Sequence, residues 1–509
     1  MKKLVVVCLL TGVSLVSKAQ HEGITKHTGS TQNTINLNDM KFIGKVDERY
    51  QSVNVEMCEV IGGDFWIPYP LIDSVRKHTN KTGISALKWG IRPIDLYNKK
   101  LRNLASALGP IYVRVSGTWA NGIYFQDNDE PALTSPPSGF KNILTRQQWK
   151  GVVDFCKAID GKLVSSFPIS DGMRDEKGTW QPQQVKAILD YTKTIGGEIS
   201  ASEFFNEPSH ASHGDAPKGY NGVNYAREFA LFKSFITTAA PSMTILGPGS
   251  TGEGGILPSG LDLSVNALLS PSPKATFDVF TYHYYGTVSK RCGGVQKPEL
   301  ALSADWLSKT EKGLEFYQNA RDTYVPGAPI WLTETAESAC GGNPWAATFI
   351  DSFRYLEQLG RLAKKGVQVV MHNTLARSEY ALLDDDTHNP RPNYWAALLW
   401  SKLMGSQVFE GGSLEAGVDL FVHSSKKQPS GKSVLIINTN EKATTITIPD
   451  EAVQYVLTAD ELITKKVKLN NKELKMTMDD KVPALGGKKV KKGTVALPAH
   501  SMMFLEFNK

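Results

Sequence analysis

Between about residue 50 and residue 404, short apolar runs alternate with segments of helical periodicity, and this alternation constrains the fold most strongly. Such alternation is typical of βαβ units that build a parallel sheet. Eight strands over a segment of this length fit a (β/α)8 TIM barrel. The predicted strands are 52–55, 111–115, 162–166, 202–205, 244–247, 279–283, 330–333 and 367–371, and three of the intervening helices are 181–195, 225–240 and 345–364.

The residue pattern changes after about residue 405. Short alternating runs are separated there by Gly, Pro, Asn and Lys turns, which is typical of an antiparallel β-sandwich. The predicted strands are 418–423, 433–438, 444–448, 453–457 and 502–507. With 41% hydrophobic residues the chain has enough apolar side chains for a sizeable core, which excludes intrinsic disorder. The predicted organisation is a signal peptide (1–19), an N-terminal segment joining the sandwich (20–45), the α/β barrel (46–404) and the C-terminal β-sandwich domain (405–509).

The N-terminus has the pattern of a secretory signal peptide. Lys2 and Lys3 precede the apolar run 4–10, and small residues lead to a predicted cleavage after Ala19. No later stretch reaches about 18 apolar residues, so we expect no membrane span. The sequence therefore predicts an exported protein, periplasmic or extracellular.

Charge and cysteine usage exclude several kinds of partner. The formal net charge is +6, and the late lysines between residues 465 and 492 alternate with apolar residues without interleaved aromatics. This pattern indicates solvated strand faces, and we expect no nucleic-acid partner. No CxxC spacing is present, and we expect neither a metal site nor a cofactor. Cys292 and Cys340 lie on Gly-rich loops and are the expected pair if any cysteines bridge; free thiols remain the alternative. Nothing in the sequence sets an oligomeric state.

Two glutamates follow predicted strands of the barrel. Asn206-Glu207-Pro208 comes after the fourth strand, and Glu334 comes at the end of the seventh. Because the carboxyl ends of barrel strands meet at one face, Glu207 and Glu334 can face each other. Two carboxyl groups about 5 to 5.5 Å apart perform retaining glycoside hydrolysis, one as acid and one as nucleophile. Each glutamate alone is more typical of a turn or loop, but together they predict a glycosidase.

Neighbouring side chains support this interpretation. Asn206 is placed to bond a sugar 2-hydroxyl, and a tyrosine at the end of strand six can orient the nucleophile. Trp119, Trp331 and Trp345 offer flat faces for sugar stacking. His283 has no second histidine at ligand spacing, so we do not predict a metal there.

Several blocks resemble glycoside hydrolase family 79, the heparanase and β-glucuronidase family. The most specific begins at the seventh strand with ETAESACGGNP and continues with VQVVM, YALLD and PNYW. The blocks YVRVSGT, FNEPS and LPAHS also match. The matching blocks are 112–118, 205–209, 334–344, 367–371, 380–384, 392–395 and 497–501. The resemblance runs from about residue 50 to the C-terminus.

The resemblance implies a retaining β-glucuronidase that acts on carbohydrates with terminal β-glucuronic acid. Glu207 matches the acid/base and Glu334 the nucleophile of the family. The residues matched to sugar binding are Asn206, Thr118, the amides of Gly341 and Gly342, the hydroxyl of Tyr380, the strand-six Tyr284, and Glu56, which replaces the family's usual Asp. A Gly-Gly turn exposes amides to an anion, which fits a carboxylate ligand.

Departures from the family pattern bear on the substrate. Phe205 replaces an expected Gly, the excised linker of mammalian heparanase is absent, and its basic clusters are not evident. We therefore expect an exo-acting glucuronidase rather than an endo-acting, heparanase-like hydrolase. A clan-related retaining β-glycosidase on a neutral sugar and a non-catalytic carbohydrate-binding protein also stay open.

Overall fold

The computed structural model describes residues 33–78, 81–254 and 261–508; the predicted signal peptide lies outside them. The strands are β1 Phe42–Lys45, β2 Gln51–Glu56, β3 Gly63–Trp66, β4 Lys88–Ile91, β5 Ile111–Ser116, β6 Ile123–Gln126, β7 Asn142–Thr145, β8 Gly161–Ser166, β9 Ile199–Glu203, β10 Thr244–Ser250, β11 Val279–Tyr285, β12 Ile330–Ala336, β13 Val369–His372, β14 Met404–Phe409, β15 Val418–Ser425, β16 Lys432–Asn438, β17 Thr444–Ile448, β18 Ala452–Thr458, β19 Lys468–Leu469, β20 Lys472–Glu473, β21 Lys488–Val490, β22 Gly493–Leu497 and β23 Ser501–Phe507. The α-helices are α1 Met57–Ile61, α2 Ile72–Lys77, α3 Lys99–Leu108, α4 Arg146–Ala158, α5 Gln183–Thr194, α6 Gly222–Ala239, α7 Val265–Leu269, α8 Ala304–Tyr324, α9 Phe349–Lys364 and α10 Pro392–Leu403.

Eight parallel strands close into a barrel in the order β2, β5, β8, β9, β10, β11, β12 and β13. This confirms the predicted eight-stranded parallel barrel. The strands are buried on both faces, which explains why they read as short apolar runs. Only the fourth strand is clearly displaced: β9 ends at Glu203, because Phe204 and Phe205 leave the strand and pack in an aromatic cluster with Tyr225.

Polarity changes along the inside of the barrel. On β11, for example, Val279 lies in an apolar layer, whereas Thr281 and His283 further along the strand make polar contacts. Trp331 belongs to the same apolar layer, where its ring lies 5.0 Å from that of Tyr112. It is therefore a packing residue and not the sugar platform that the sequence suggested. The polar side chains gather at the carboxyl ends of the strands, where barrel enzymes carry their active sites.

An antiparallel sheet follows the barrel, in the order β1, β14, β15, β16, β23, β18, β19 and β20, with β21 also paired to β18. The short pair β17 and β22 forms a second sheet, and alternating apolar residues of the two sheets share a buried core, including Ile436, Ile446, Leu497 and Leu505. This arrangement fits a β-sandwich. The N-terminal segment contributes β1 and a bridge from Thr34 to Thr447. The exact domain limits stay a prediction.

A disulfide joins Cys292 to Cys340, the pair that the sequence favoured. It links the loop after β11 to the loop after β12, across 48 residues, and a closed loop of that size stabilises a fold by about 4 kcal/mol in the chain-entropy treatment. Cys58 and Cys156 are buried free thiols. Among the described residues, no helix is both long and apolar enough to cross a lipid bilayer.

Candidate active site

Glu334 lies near the end of β12, and both of its carboxylate oxygens receive hydrogen bonds. Arg114 of β5 donates from Nη1 to Oε2 at 2.9 Å, and Tyr285 of β11 donates its hydroxyl to Oε1 at 2.6 Å. Donors from two different strands therefore fix the orientation of this carboxylate. A buried carboxylate held in this way is suited to attack an electrophilic carbon.

Glu207 faces the same point from the segment after β9. Its backbone has the left-handed conformation, with φ of 48°, and Pro208 follows it at the start of a short 3₁₀ turn. Its Oε1 lies 3.0 Å from Nδ1 of His283. Side-chain ligand atoms of Glu207, His283 and Glu334 all lie within 4.8 Å of one another. The two carboxyl groups thus have the close spacing of retaining glycosidases.

His283 lies close to both glutamates, and the interaction shifts the pKa values of His283 and of Glu207. Burial alone would lower the pKa of His283, but the surrounding glutamates, Glu334 first among them, raise it to about 9. Burial alone would raise the pKa of Glu207, but the hydrogen bond and positive charge of His283 lower it below its ordinary value. Arg114 acts against this rise, since its Nη2 lies 3.3 Å from His283 Nε2. The surrounding carboxylates still favour a protonated ring next to Glu207.

Asn206 is held next to Glu207 by hydrogen bonds on three sides. Its backbone N–H donates to Asn121 Oδ1, and its carbonyl accepts from Asn121 Nδ2. Its Oδ1 accepts from Arg114 Nη2 at 2.8 Å. Within the described residues its Nδ2 has no acceptor, so this amide is free to donate to a sugar hydroxyl.

The Gly341–Gly342 turn lies beside Tyr380. Both glycines have positive φ, 79° and 83°, and a Cβ on Gly342 would approach the Tyr380 backbone N at 3.0 Å, so the turn requires glycine. Neither glycine N–H donates a hydrogen bond to any residue that the structure describes. Tyr380 packs with Tyr285, whose hydroxyl bonds Glu334, and Asn373 Nδ2 donates to both tyrosine hydroxyls.

Glu56 and Thr118 lie on the neighbouring strand ends. Glu56 accepts from Asn373 Nδ2 at 2.9 Å, and the same amide donates to Tyr285 and Tyr380. Burial, reinforced by the charge of Glu334, raises the pKa of Glu56 well above its ordinary value. The Glu56 carboxyl abuts Gly117, where a Cβ would overlap Oε2, and partly exposed Thr118 follows directly.

The sequence profile described as "Glycosyl hydrolase family 79, N-terminal domain" matches residues 78–360. The chain belongs to glycosyl hydrolase family 79. Among its relatives, heparanase of Mus musculus is 25% identical over 470 residues, which cover 80% of this chain and 85% of the relative. The baicalin-beta-D-glucuronidase of Scutellaria baicalensis is 24% identical over 494 residues, covering 87% and 86%. Family membership supports a glycosidase.

Solved structures of low sequence identity share the fold. A 4-O-alpha-L-rhamnosyl-beta-D-glucuronidase from Fusarium oxysporum superposes with a TM-score of 0.62 at 12% identity, covering 93% of this chain and 99% of that one. A family 51 arabinofuranosidase from Xanthomonas axonopodis pv. citri has the same TM-score at 13% identity and the same coverage. These likenesses support the barrel and the appended sheet.

The sequence placed the wrong tyrosine at the site of this family 79 chain. Tyr284 points away from Glu334 into the apolar core, and Tyr285 makes the contact. The physical reason is the alternation of side chains along β11: His283 and Tyr285 face the barrel interior, whereas Tyr282 and Tyr284 face the surrounding helices, where Tyr282 stacks on Tyr317.

Arg114 and Glu203 are among the site residues that the sequence argument missed. Arg114, only 1% exposed, bonds Glu203, Glu334 and Asn206, and Glu203 also accepts from Thr333. Burial opposes the charge of Glu203, but Arg114 beside it lowers its pKa below the ordinary range. A signal was present: an Arg between valines in an apolar strand is costly to bury unless it is paired.

Replacement of Tyr285 by Phe tests which tyrosine supports the nucleophile. Tyr285→Phe removes the hydroxyl bonded to Glu334 and is expected to lower kcat for a glycoside substrate by roughly 10- to 100-fold, the usual effect of a lost charge-assisted hydrogen bond. Tyr284→Phe is the matched control and should change kcat less than about threefold. Steady-state kinetics of both variants measure this; a larger loss in Tyr284→Phe would contradict the placement.

Proposed function

We propose that this family 79 chain is a retaining β-glucuronidase that removes β-linked glucuronic acid from glycans or glucuronide conjugates by double displacement. The observation that carries the proposal is the pairing of Glu207 and Glu334, with ligand atoms within 4.8 Å at the carboxyl ends of the barrel strands. Inverting enzymes separate their carboxyl groups by roughly 6.5 to 9.5 Å to admit a water between them, so the close spacing supports retention.

The reaction runs in two steps. Glu207 donates a proton to the leaving oxygen while Glu334 attacks the anomeric carbon, which forms a covalent glycosyl-enzyme. Glu207 then takes a proton from the incoming water, and this water cleaves the ester to Glu334 with overall retention. The lowered pKa of Glu207 suits the second step, in which it acts as a base. The first step needs its acid form, so we expect the highest rates at acid pH.

The turn beside Tyr380 supports a uronic acid in the reactive subsite. The amides of Gly341 and Gly342, which donate to no residue in the described part of the chain, and the neutral hydroxyl of Tyr380 can together bind one carboxylate. Burial raises the pKa of Tyr380 well above its ordinary value, so the hydroxyl keeps its proton for donation. The names of relatives such as baicalin-beta-D-glucuronidase and the hyaluronoglucuronidase of Hirudo nipponia support a glucuronide substrate. We favour removal of a terminal sugar.

Export is part of this proposal. Residues 1–19 have the pattern of a secretory signal. The Cys292–Cys340 disulfide supports the same compartment, since such bonds persist in oxidising environments.

A panel of aryl glycosides tests the activity and the sugar together. The wild type is expected to hydrolyse an aryl β-glucuronide at least about 100-fold faster, in kcat/KM, than the matching β-glucoside, β-galactoside and β-xyloside. Tyr380→Phe should narrow that preference by roughly 10-fold, because it removes one donor to the carboxylate. Equal rates on the glucuronide and the glucoside would favour a neutral-sugar glycosidase, and no hydrolysis of any member would favour a carbohydrate-binding protein.

A further inference from the structure

Lys88, at the edge of the candidate active site, has no anionic partner among the described residues. Strands β3 and β4 form an antiparallel two-stranded sheet, in which Lys88 lies directly opposite Trp66. Its ammonium lies 4.8 Å from the ring centroid of Trp66 and 4.5 Å from that of Trp119, so it is held by two aromatic rings. Lys88 Nζ makes no hydrogen bond and no ion pair with any residue that the structure describes.

The two tryptophans connect Lys88 to both sides of the sugar site. Trp66 packs on Gly341, where a Cβ would come within 2.8 Å of the indole Cγ. Trp119 directly follows Thr118. Lys88 therefore lies between the turn with the free amides and the strand end that carries the sugar-facing threonine candidate.

The electrostatic setting of Lys88 favours capture of an anion. Burial lowers the pKa of Lys88, and the nearby carboxyl groups that oppose this effect, Glu56 and Asp64, make no direct contact with the ammonium. Glu56 itself is held toward its neutral form by burial. A partly desolvated ammonium without a carboxylate gains more from an incoming anion than an ammonium in water does.

We propose that Lys88 binds an anionic group of the substrate, a carboxylate or a sulfate ester, at the edge of the sugar site. This inference deepens the proposed function and rests on it for the identity of the sugar. The anion has two possible sources: the carboxylate of the reacting glucuronate itself, or an acidic group on the adjoining sugar of a longer glycan.

Binding measurements on a slow variant separate this inference from the activity. Glu334→Gln protein, with and without Lys88→Met, is titrated calorimetrically with sodium glucuronate, with glucose, and with a sulfated glucuronate-containing oligosaccharide. Lys88→Met is expected to weaken binding of one or both anions roughly 10- to 100-fold and to leave glucose unchanged. If Lys88→Met weakens glucuronate binding, Lys88 contacts the carboxylate of the reacting sugar. If it weakens only oligosaccharide binding, Lys88 contacts an acidic group on the adjoining sugar. Added salt should shrink either effect.

Two further variants control for charge and packing. Lys88→Arg keeps the positive charge and should restore binding to within about threefold. Lys81→Met removes an exposed lysine that is already paired with Asp64 in the same segment, and should behave like the parent. The inference is overturned if Lys88→Met binds both anions as tightly as the parent, or if it weakens glucose equally, which would indicate packing alone. If the wild type hydrolyses no β-glucuronide, the proposed function fails while these titrations still decide the role of Lys88.

Discussion

Glu334→Gln is expected to lower kcat for an aryl β-glucuronide by at least about a thousandfold. The amide has nearly the same shape as the carboxylate, so it still fits between Arg114 and Tyr285. It lacks the negative charge that attacks the anomeric carbon, and the covalent glycosyl-enzyme does not form. Initial rates on the purified wild type and variant, at matched protein concentration, measure the effect.

Chemical rescue identifies the step at which Glu334 acts. In Glu334→Ala a small anion such as azide can enter the space of the lost carboxylate and attack from the same side. The product is then an α-glucuronosyl azide, of inverted configuration, which NMR identifies directly. Glu315→Gln, an exposed site on α8, is the control for purification and assay. Wild-type rates in Glu334→Gln would end the assignment of Glu334 as the nucleophile.

The barrel was predictable because its strands are buried on both faces. Each strand is then a short apolar run that stands out from the amphipathic helices around it. The limits of β9 were less clear, because Phe204 and Phe205 extend the apolar run beyond Glu203 although they have already left the sheet. Local pattern cannot distinguish an apolar residue in a strand from one in the aromatic cluster that follows.

The site was predictable where its residues lie at strand ends and less so elsewhere. Glu207 and Glu334 follow strands and meet because the barrel closes. Two consecutive tyrosines end β11, and the sequence alone does not show which of them faces the barrel interior. In the structure it is Tyr285. The β3–β4 pair was not predicted, because its Trp66 packs against Gly341, more than 250 residues away along the chain.

Glu207→Ala is expected to slow hydrolysis of an alkyl β-glucuronide by roughly 10²- to 10⁴-fold, the range of general acid catalysis. An alkoxide leaves poorly without a proton, so this substrate depends on the acid. An activated aryl leaving group departs as a stabilised phenolate, so its first bond cleavage should be nearly unaffected. With this substrate the variant should instead accumulate glycosyl-enzyme, because no base activates the water, and a burst of released phenol measures it.

The pH profile supplies an independent test of the same residue. Because His283 lowers the pKa of Glu207, kcat/KM of the wild type for the alkyl glucuronide should fall as pH rises through the acid range and the acid form is lost. His283→Asn removes the positive charge beside Glu207, so the effect of burial dominates and the pKa of Glu207 rises. The fall in kcat/KM should then occur at higher pH. Glu207→Ala should show no such fall in kcat/KM. Release of phenol from the activated aryl substrate shows whether both variants are correctly folded. If kcat/KM of Glu207→Ala still falls as pH rises, another group donates the proton, and the acid role of Glu207 would be wrong.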